Sequence, residues 1–330
     1  MKKKIISAVT AVLMCLSTAA NAAEYQRMDL TADGNWASSE MVRETLGGQT
    51  VFKLSGNSQT LGSKLYVTFN GFDISGKRIS VDKKYMVVHY LLKNSVGESP
   101  LEGKRPFFQV DNFYKTEDGK DVQVKTASGS VSSGFITGST AFVKDEWAPL
   151  MVNLERDSIN EIRSNNPDAW YKTLRMYPAY DAAANTMSDD DTVYMKYVDF
   201  YTEQPSNAVY SPSVSIENGV ISGKARLYHF AGAQEGCVMM LARYDSDGNL
   251  SGCEVKEIAP SELSDGFNDI SIEKEYDASK DTDVKMFIWD SLTGMNALCD
   301  AVSAEYDAPI SGDNEVSYSV YGMGAVNPAE

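Results

Sequence analysis

Cysteine and histidine are scarce in this sequence, which has 4 cysteines and 2 histidines in 330 residues. Cys15 lies in the N-terminal segment, so the rest of the chain holds only Cys237, Cys253 and Cys299. Three cysteines cannot all pair, and their spacing contains neither a CxxC motif nor a Cys/His metal pattern. The sequence therefore predicts free thiols that act as small apolar side chains in the interior, without a disulfide framework.

The sequence also lacks the signatures of a hydrolase. Before residue 204 there is one histidine, His89, and there is no G-x-S-x-G motif, so a Ser-His-Asp mechanism has little support. A glycosidase needs two carboxyl groups roughly 5 to 9 Å apart. The glutamates here fall mainly in predicted turns and segment ends: Glu98, Glu102, Glu117, Glu146 and Glu155. We therefore predict that the protein is not an enzyme.

Positive charge is in deficit. The chain has 30 Lys and Arg against 46 Asp and Glu, for a formal net charge of -16. Nucleic-acid binding depends on Lys and Arg that displace counterions, and an acidic surface repels phosphate backbones and anionic lipids. Nucleic acid is excluded as a partner on these grounds, and the acidity is interpreted as an aid to solubility.

Long apolar runs are absent except at the N-terminus. Three lysines at 2–4 precede an apolar run from Ile5 to Leu16, and small residues that include Ala20 and Ala22 follow. This is the layout of a secretory signal peptide, and the run is too short to span a bilayer core of roughly 30 Å. The sequence predicts a signal peptide over 1–22, a secreted or extracellular protein with or without association with the cell surface, and no transmembrane span.

The rest of the chain consists of short apolar segments separated by Gly, Asn, Asp and Ser. One segment, 192–201, has Val, Tyr, Met and Phe on both faces, which predicts a strand that is covered on two sides. About nine such segments in 24–203 favour an antiparallel β-sandwich. Short helical turns are predicted at 38–46 and 157–164, where Ser or Asp can cap the first amides.

A second, smaller domain is predicted after a linker at 204–211. It covers 212–308 and contains Asn218-Gly219 between alternating segments, a strong signal for a two-residue hairpin turn. Roughly five to seven short strands favour an immunoglobulin-like or fibronectin-like sandwich. Residues 309–330 form a tail that is rich in Ser, Gly, Asn and Val, and it is predicted to be disordered or to add one strand.

Particular segments of the two domains also resemble known modules. In the first domain they are KYMVVHYLLK, WAPLMVNL, AWYKTLRMY and DDDTVYMKYVDFYTEQP. These are similar to jelly-roll modules of carbohydrate-binding type in secreted proteins of anaerobic Gram-positive bacteria. In the second domain they are MMLARYDSDGNLSGCEVKEI and VKMFIWDSLTGMNAL. These resemble a small Ig/fibronectin-like β-sandwich appended to secreted and surface proteins of the same bacteria. The resemblances imply carbohydrate binding by a jelly roll and an accessory or spacer role for the second sandwich.

A sugar ring presents an apolar C–H face that stacks on Trp or Tyr, while its hydroxyls bind Asp, Asn, Arg and His. Late segments of the first domain supply both kinds of residue, and an earlier strand adds two more from its mixed face. The candidate ligand-binding residues are Trp147, Trp170, Tyr171, Arg175, Tyr177, Tyr85 and His89. The alternative for each aromatic residue is a place in the core.

An acidic run precedes the last strand of the first domain. It comprises Asp189, Asp190 and Asp191, with Asp181 shortly before, and together they could supply the oxygen ligands that Ca²⁺ requires. Jelly-roll modules of the kind that this domain resembles often carry a structural calcium. The alternative is a solvated acidic loop, because carboxylates adjacent in sequence rarely point at one centre. No other cofactor is predicted.

Together these features predict a secreted, non-catalytic protein that binds a polysaccharide or another cell-surface glycan, with the second domain as a spacer. One alternative is a structural or adhesive surface protein that contacts other surface proteins. The other is an unrecognised glycan-active hydrolase. A shallow groove with exposed rings would favour glycan binding, and an exposed strand edge or a flat apolar patch would favour adhesion.

Overall fold

A computed structural model of the chain describes residues 25–31, 42–55, 67–69, 78–177, 187–277, 281 and 283–304. The predicted signal peptide, the predicted tail and Asp181 lie outside these residues. Within them, regular structure other than strand is limited to one α-helix, α1 (Asp157–Asn165), and a 3-10 turn at Pro260–Glu262. The prediction of an all-β chain of sandwich architecture is confirmed.

The described chain divides into two compact units, one within residues 25–205 and one within residues 206–304. In the first unit the strands are β1 (Tyr25–Asp29), β2 (Val42–Leu46), β3 (Gln49–Ser55), β4 (Val67–Phe69), β5 (Tyr85–Asn94), β6 (Phe107–Glu117), β7 (Lys120–Val124), β8 (Ser132–Thr137), β9 (Trp147–Asn153), β10 (Trp170–Tyr177) and β11 (Asp191–Tyr201). In the second unit they are β12 (Asn207–Glu217), β13 (Val220–His229), β14 (Cys237–Tyr244), β15 (Leu250–Ile258), β16 (Gly266–Glu275), β17 (Asp283–Trp289) and β18 (Val302–Ser303).

The first unit contains two antiparallel sheets. A six-stranded sheet has the order β2-β3-β11-β5-β9, with β1 also paired to β11. A five-stranded sheet has the order β4-β10-β6-β7, with β8 also paired to β6. Strand β11 lies inside the six-stranded sheet, because β3 and β1 pair with one of its sides and β5 pairs with the other. This position explains why its sequence is apolar on both faces.

The core of the first unit lies between the two sheets. Register pairs Met86 with Phe200 and Val88 with Val198 on the inner face of the six-stranded sheet, and all four are at most 1% exposed. The five-stranded sheet contributes buried side chains from β6 and β10, namely Phe108, Val110, Leu174 and Met176. Removal of these apolar side chains from water is the main favourable contribution to folding.

Strand β6 contains a local irregularity at Asn112, whose φ is 60°. Up to that point the inward residues are Phe108 and Val110, whereas beyond it the inward residue is Phe113. A residue in the left-handed region interrupts the alternation of a strand, and Asn tolerates that region better than most residues. The irregularity therefore decides which side chains of the neighbouring β10 face outward.

One predicted element of the first unit is wrong. Residues 38–46 are predicted to form helical turns, but Val42–Leu46 is strand β2, and 38–41 lie outside the described residues. Gly47 and Gly48 have φ values of 55° and 76°, and Leu46 pairs with Gln49 across them. The two glycines therefore form a two-residue hairpin turn instead of a helix end. The predicted helix near 157–164 is confirmed as α1.

The second unit contains a three-stranded sheet, β12-β13-β16, and a four-stranded sheet, β15-β14-β17-β18. The fourth strand of the unit, β15, pairs with the third, β14, so the division differs from that of a constant-type immunoglobulin domain, in which the fourth strand pairs with the fifth. Its core includes side chains from both sheets, among them Leu227, Leu241, Ile272 and Met286. His229 is buried, and its Nδ1 lies 2.8 Å from Asn207 Oδ1, which makes it a packed histidine of the sandwich.

Two predictions about the second unit concern its first strands. Asn218 and Gly219 have φ values of 50° and 77° and connect β12 to β13, so the predicted hairpin is confirmed. The predicted linker at 204–211 is too long, because β12 begins at Asn207, which pairs with His229. The segment begins with loop residues at 204–206 but continues with the apolar Ala208, Val209 and Tyr210, which are buried in β12. Among the described residues, no helix combines the length and the apolar character that a membrane crossing needs.

Candidate ligand-binding face

The seven predicted ligand-binding residues are divided between the two sheets of the first unit. The six-stranded sheet carries Tyr85, His89 and Trp147, and the five-stranded sheet carries Trp170, Tyr171, Arg175 and Tyr177. The outer faces of a sandwich point away from each other. A single site made from all seven residues is therefore a wrong prediction.

Both predicted tryptophan platforms are covered by protein. Trp147 and Trp170 are each 3% exposed. The guanidinium carbon of Arg78 lies 3.9 Å from the ring centroid of Trp170, and Arg78 is held in turn by a 2.9 Å ion pair with Asp121. A sugar needs an accessible ring face for stacking. The assignment of these two rings as a sugar platform is corrected accordingly.

Tyr171 is a core residue. It is 1% exposed, its ring centroid lies 5.9 Å from that of Phe113 and 6.5 Å from that of Phe200, and its hydroxyl donates to the Lys83 carbonyl at 2.7 Å. Burial raises the pKa of Tyr171. Its prediction as a surface residue fails because the irregularity at Asn112 shifts the inward face of the sheet at this point.

His89 belongs to a buried charge cluster. Its Nε2 lies 3.1 Å from Asp199 Oδ2, and Asp199 also accepts two hydrogen bonds from Arg27, from Nε at 2.7 Å and from Nη2 at 3.0 Å. Burial acts to raise the pKa of Asp199, but the hydrogen bond from His89 and the charge of Arg27 outweigh it, so the pKa lies below its ordinary value. The cluster joins β1, β5 and β11, and His89 is too buried to contact a ligand.

Tyr85 is half-buried at the start of β5, and its pKa is raised by burial and by the nearby charges of Glu155 and Glu203. Register pairs Tyr85 with Tyr201, which pairs in turn with Tyr25. The ring centroids of Tyr25 and Tyr201 are 5.4 Å apart with an interplanar angle of 26°. The rings of Tyr25 and Tyr201 therefore cover one another's faces. The row formed by Tyr85, Tyr201 and Tyr25 offers a ligand ring edges and hydroxyls more than open ring faces for stacking.

Arg175 is partly exposed, with 35% of its side chain accessible, whereas Tyr177 is only 7% exposed and its prediction as a stacking platform is corrected accordingly. Arg175 pairs with Gln109, which pairs with Phe135, so these three residues form a row across β10, β6 and β8. The neighbouring rows add Phe107 beside Tyr177 and Asp111 beside Thr173. We call this surface the Arg175 face. It is defined by six residues: Phe107, Gln109, Asp111, Phe135, Arg175 and Tyr177.

The polar groups of the Arg175 face are held in place by one another. Arg175 Nη1 lies 2.9 Å from Asp111 Oδ2. The Tyr177 hydroxyl donates to Gln109 Oε1 at 3.0 Å, and Gln109 Nε2 donates to Ser132 Oγ at 2.9 Å. Among the described residues, Arg175 Nε has no hydrogen-bond partner. The face therefore holds oriented polar groups, and the donor without a partner, Arg175 Nε, is itself buried.

An aromatic cluster lies beside these polar groups. The ring of Phe135 is 5.3 Å from that of Tyr177 at an interplanar angle of 74°, and 6.5 Å from that of Phe107 at 84°. Both contacts are edge-to-face, and Phe135 is 46% exposed. Other apolar side chains are also exposed among the described residues, but Phe135 is an aromatic ring with two further rings beside it.

The Arg175 face combines an exposed aromatic ring with hydrogen-bonding side chains. Phe135 can contact an apolar ring face, while Arg175 and Gln109 can exchange hydrogen bonds with hydroxyls; Asp111 is 6% exposed and orients Arg175 from below. Of the six defining residues only Asp111 carries a carboxyl group, and that group is paired with Arg175. Sequence reasoning missed Gln109, Asp111, Phe107 and Phe135, although alternation in PFFQVDNFY would have placed the first three on one face.

The predicted calcium ligands Asp190 and Asp191 accept hydrogen bonds from neighbouring residues. Asp191 is 0% exposed and accepts hydrogen bonds from Asn94 Nδ2 at 2.9 Å and from the Ser188 amide at 2.8 Å. Asp190 accepts from the Ser95 hydroxyl at 2.9 Å, and both Asp189 and Asp190 are exposed. Within the described residues no group of three or more His, Cys, Asp or Glu side chains has a metal-binding arrangement. The donors at Asp191 use lone pairs that a cation would need.

The comparisons with known proteins give the following. Neither a known family model nor a curated protein matches the chain. A calcium-binding mutant of Bacteroides uniformis beta-glucuronidase 2 is 12% identical with a TM-score of 0.31, over 85% of this chain and 32% of that one. Ruminococcus gnavus beta-glucuronidase is 9% identical with a TM-score of 0.30, over 84% and 43%. A DUF3823 family protein from Bacteroides ovatus is 11% identical with a TM-score of 0.24, over 65% and 97%.

The chain thus spans 32% and 43% of the lengths of these two glucuronidases. Likenesses with TM-scores this low carry no argument about what the chain does. The functional conclusion below is drawn from the chain's own residues.

Proposed function

We propose that this protein is an exported, non-catalytic carbohydrate-binding protein whose first unit binds a polysaccharide or another cell-surface glycan on the Arg175 face. The second unit serves as an accessory sandwich. The signal-peptide pattern at 1–22 supports export, and the resemblance of the first domain to carbohydrate-binding jelly rolls supports the ligand class.

One observation carries the proposal. An exposed phenylalanine, Phe135, lies in register with two hydrogen-bonding side chains, Gln109 and Arg175, on the open face of a sheet. Sugars are recognised by this combination, because their rings have apolar faces and polar margins. The hydrogen bonds among Tyr177, Gln109 and Ser132 hold the polar groups in position before a ligand arrives, which lowers the entropy cost of binding.

The absence of a catalytic role is part of the proposal. Glycoside hydrolysis uses two carboxyl groups on opposite sides of the scissile bond. The face offers one carboxyl group, that of Asp111, and the ion pair with Arg175 engages it.

The test is retention of the full mature chain on insoluble plant, host and microbial polysaccharides and on a glycan array. We expect Phe135→Ala and Arg175→Gln each to weaken binding to the retained glycan by roughly tenfold or more, since each removes an apolar contact or a charged hydrogen bond. Val122→Ala and Arg105→Gln are the matched controls, because Val122 is 38% exposed on the same sheet and Arg105 is exposed outside the face.

Unchanged retention of both face variants would place the glycan site elsewhere. Failure of the unmodified chain to bind any glycan would overturn the proposed function and favour the adhesive alternative. Release of reducing sugar from a bound glycan would overturn the non-catalytic part alone.

A further inference from the structure

A groove lies on the three-stranded sheet of the second unit, within the domain that the sequence assigns to a spacer role. Its volume is about 330 Å³. The groove is lined by Ser211, Lys224, Ala225, Arg226, Asp269, Ile270 and Ser271. Small-molecule sites start at roughly 300 Å³, so the groove has room for a single small ring.

The groove borders a break in β12. The register between β12 and β13 shifts between Tyr210 and Ser213, which leaves Ser211 and Pro212 outside the ladder. Ser211 has a φ of 47°, a conformation that costs energy for a residue with a Cβ atom. Strained backbone of this kind is found at ligand-binding positions more often than elsewhere. The side chain of Lys224, which pairs with Ser213, lies beside this break.

The groove carries a local positive charge on a chain whose net charge is -16. Arg226 is held by Asp269, with Nη1 3.3 Å from Oδ1, and its guanidinium lies 4.6 Å from the Phe267 ring centroid. Lys256 Nζ donates to the Ser271 carbonyl at 2.8 Å. Lys224 is exposed, and within the described part of the chain it has no ion-pair partner. Lys224 is therefore the cation of the groove that is available to an incoming anion.

Hydroxyl and carboxylate groups surround that cation. Ser211 and Ser271 can donate and accept hydrogen bonds, and Asp269 is exposed and can accept them from sugar hydroxyls. A simple anion would use the lysine but not these acceptors, whereas a neutral sugar would use the acceptors but not the lysine. A ligand that satisfies both has a carboxylate and several hydroxyls on one ring.

We propose that this groove is a second binding site, which takes a carboxylated sugar residue such as a hexuronate of an acidic polysaccharide. The carboxylate contacts Lys224, and the ring hydroxyls contact Ser211, Ser271 and Asp269. The site goes beyond the proposed function of the first unit and does not depend on the Arg175 face.

The experiment titrates the full mature chain with D-galacturonate and, in parallel, with D-galactose and acetate, with binding followed by calorimetry and by NMR. We expect galacturonate to bind about tenfold more tightly than either control, because only galacturonate combines a charged and several neutral hydrogen bonds. Lys224→Gln is expected to lose about tenfold in galacturonate affinity, and added salt to weaken it in the unmodified chain. Lys120→Gln, at an exposed lysine of the first unit, is the matched control.

Each of three affinity results would overturn the proposal. They are equal affinity for galacturonate and galactose, equal affinity for galacturonate and acetate, and an undiminished affinity in Lys224→Gln. The Arg175→Gln variant separates this site from the first unit. Retained galacturonate binding in that variant supports the groove, and loss of it assigns the binding to the Arg175 face and overturns the groove.

Discussion

Arg27 and Asp199 form a two-point ion pair between strands β1 and β11, although the two residues are 172 positions apart in the sequence. Asp199 is 0% exposed, and His89 contacts the same carboxylate. A buried carboxylate is stable in this position only because both partners compensate for its lost hydration.

The first prediction follows from the depressed pKa of Asp199. A carboxyl group whose pKa is lower in the folded than in the unfolded state stabilises the fold above its unfolded pKa, near 3.8, and this stability is lost as the pH falls through the folded value. Asp199→Asn should lower the free energy of unfolding at neutral pH by roughly 3 to 5 kcal/mol, because Arg27 is left buried without its counter-charge. Urea titrations at neutral and acid pH measure both effects.

The loss of stability at acid pH distinguishes the contribution of Asp199 from that of the other carboxyl groups of the chain. We expect Asp199→Asn to show a flatter loss of stability below about pH 4 than the unmodified chain. Asp145→Asn, at a side chain that is 62% exposed, should keep the unmodified slope. An identical slope in the Asp199 variant would show that acid unfolding does not depend on this carboxylate.

The second prediction concerns the left-handed backbone at Asn112. Asn112→Val should destabilise the first unit by about 1 to 2 kcal/mol through backbone strain, since a β-branched residue disfavours a φ of 60°. It also loses the 2.8 Å hydrogen bond from Gln123 Nε2. Asn112→Gly loses the same hydrogen bond but tolerates the backbone, so it should be the more stable of the two variants in denaturant titrations. The reverse order would contradict the strain argument.

The third prediction concerns the thiols, which are free as the sequence predicts. Burial raises the pKa of Cys237 and of Cys299 to about 12, whereas Cys253 is only half-buried. In the native mature chain at neutral pH, a thiol-specific reagent should modify Cys253 slowly and leave the other two intact. All three should react in denaturant, and Cys253→Ser should remove the native reaction. Rapid modification of three thiols in the native state would contradict the predicted burial.

The fourth prediction concerns calcium. Because Asn94 and Ser188 donate to the Asp191 carboxylate, we expect chelator and added Ca²⁺ to leave the melting temperature unchanged. Mg²⁺ serves as the control for nonspecific effects of a divalent cation. A melting temperature that falls on chelation and recovers with Ca²⁺ alone would restore the metal site that the acidic sequence suggests.

The strand pattern was largely predictable. Alternation in KYMVVHYLLK separates the inward Met86 and Val88 from the outward Tyr85, and the two-sided apolar segment 192–201 is a strand inside a sheet. The Asn218-Gly219 turn has the geometry that its sequence favours. These features depend on local chemistry, which a single segment carries in full.

The site was predictable only in part, because its formation depends on pairing between distant strands. Arg175 and Tyr177 were expected to contact a ligand, but Phe135 joins them only through the β6–β8 register. The predicted Trp147 and Trp170 satisfy the same chemical criteria and are nevertheless buried. For Trp170 the reason is Arg78, which covers the ring and which no local pattern connects with it. Residue type indicates suitability for sugar contact, whereas exposure is decided by tertiary packing.

The ladder break at Ser211 and Pro212 has a consequence for self-association. Strand β12 is an edge strand of its sheet, and exposed edge strands pair with strands from other molecules during aggregation. Proline offers no amide hydrogen, and the displaced serine breaks the even spacing of donors and acceptors that a foreign strand would have to match. Copies of the protein at high local concentration can therefore lie side by side without pairing their β12 strands into a shared sheet.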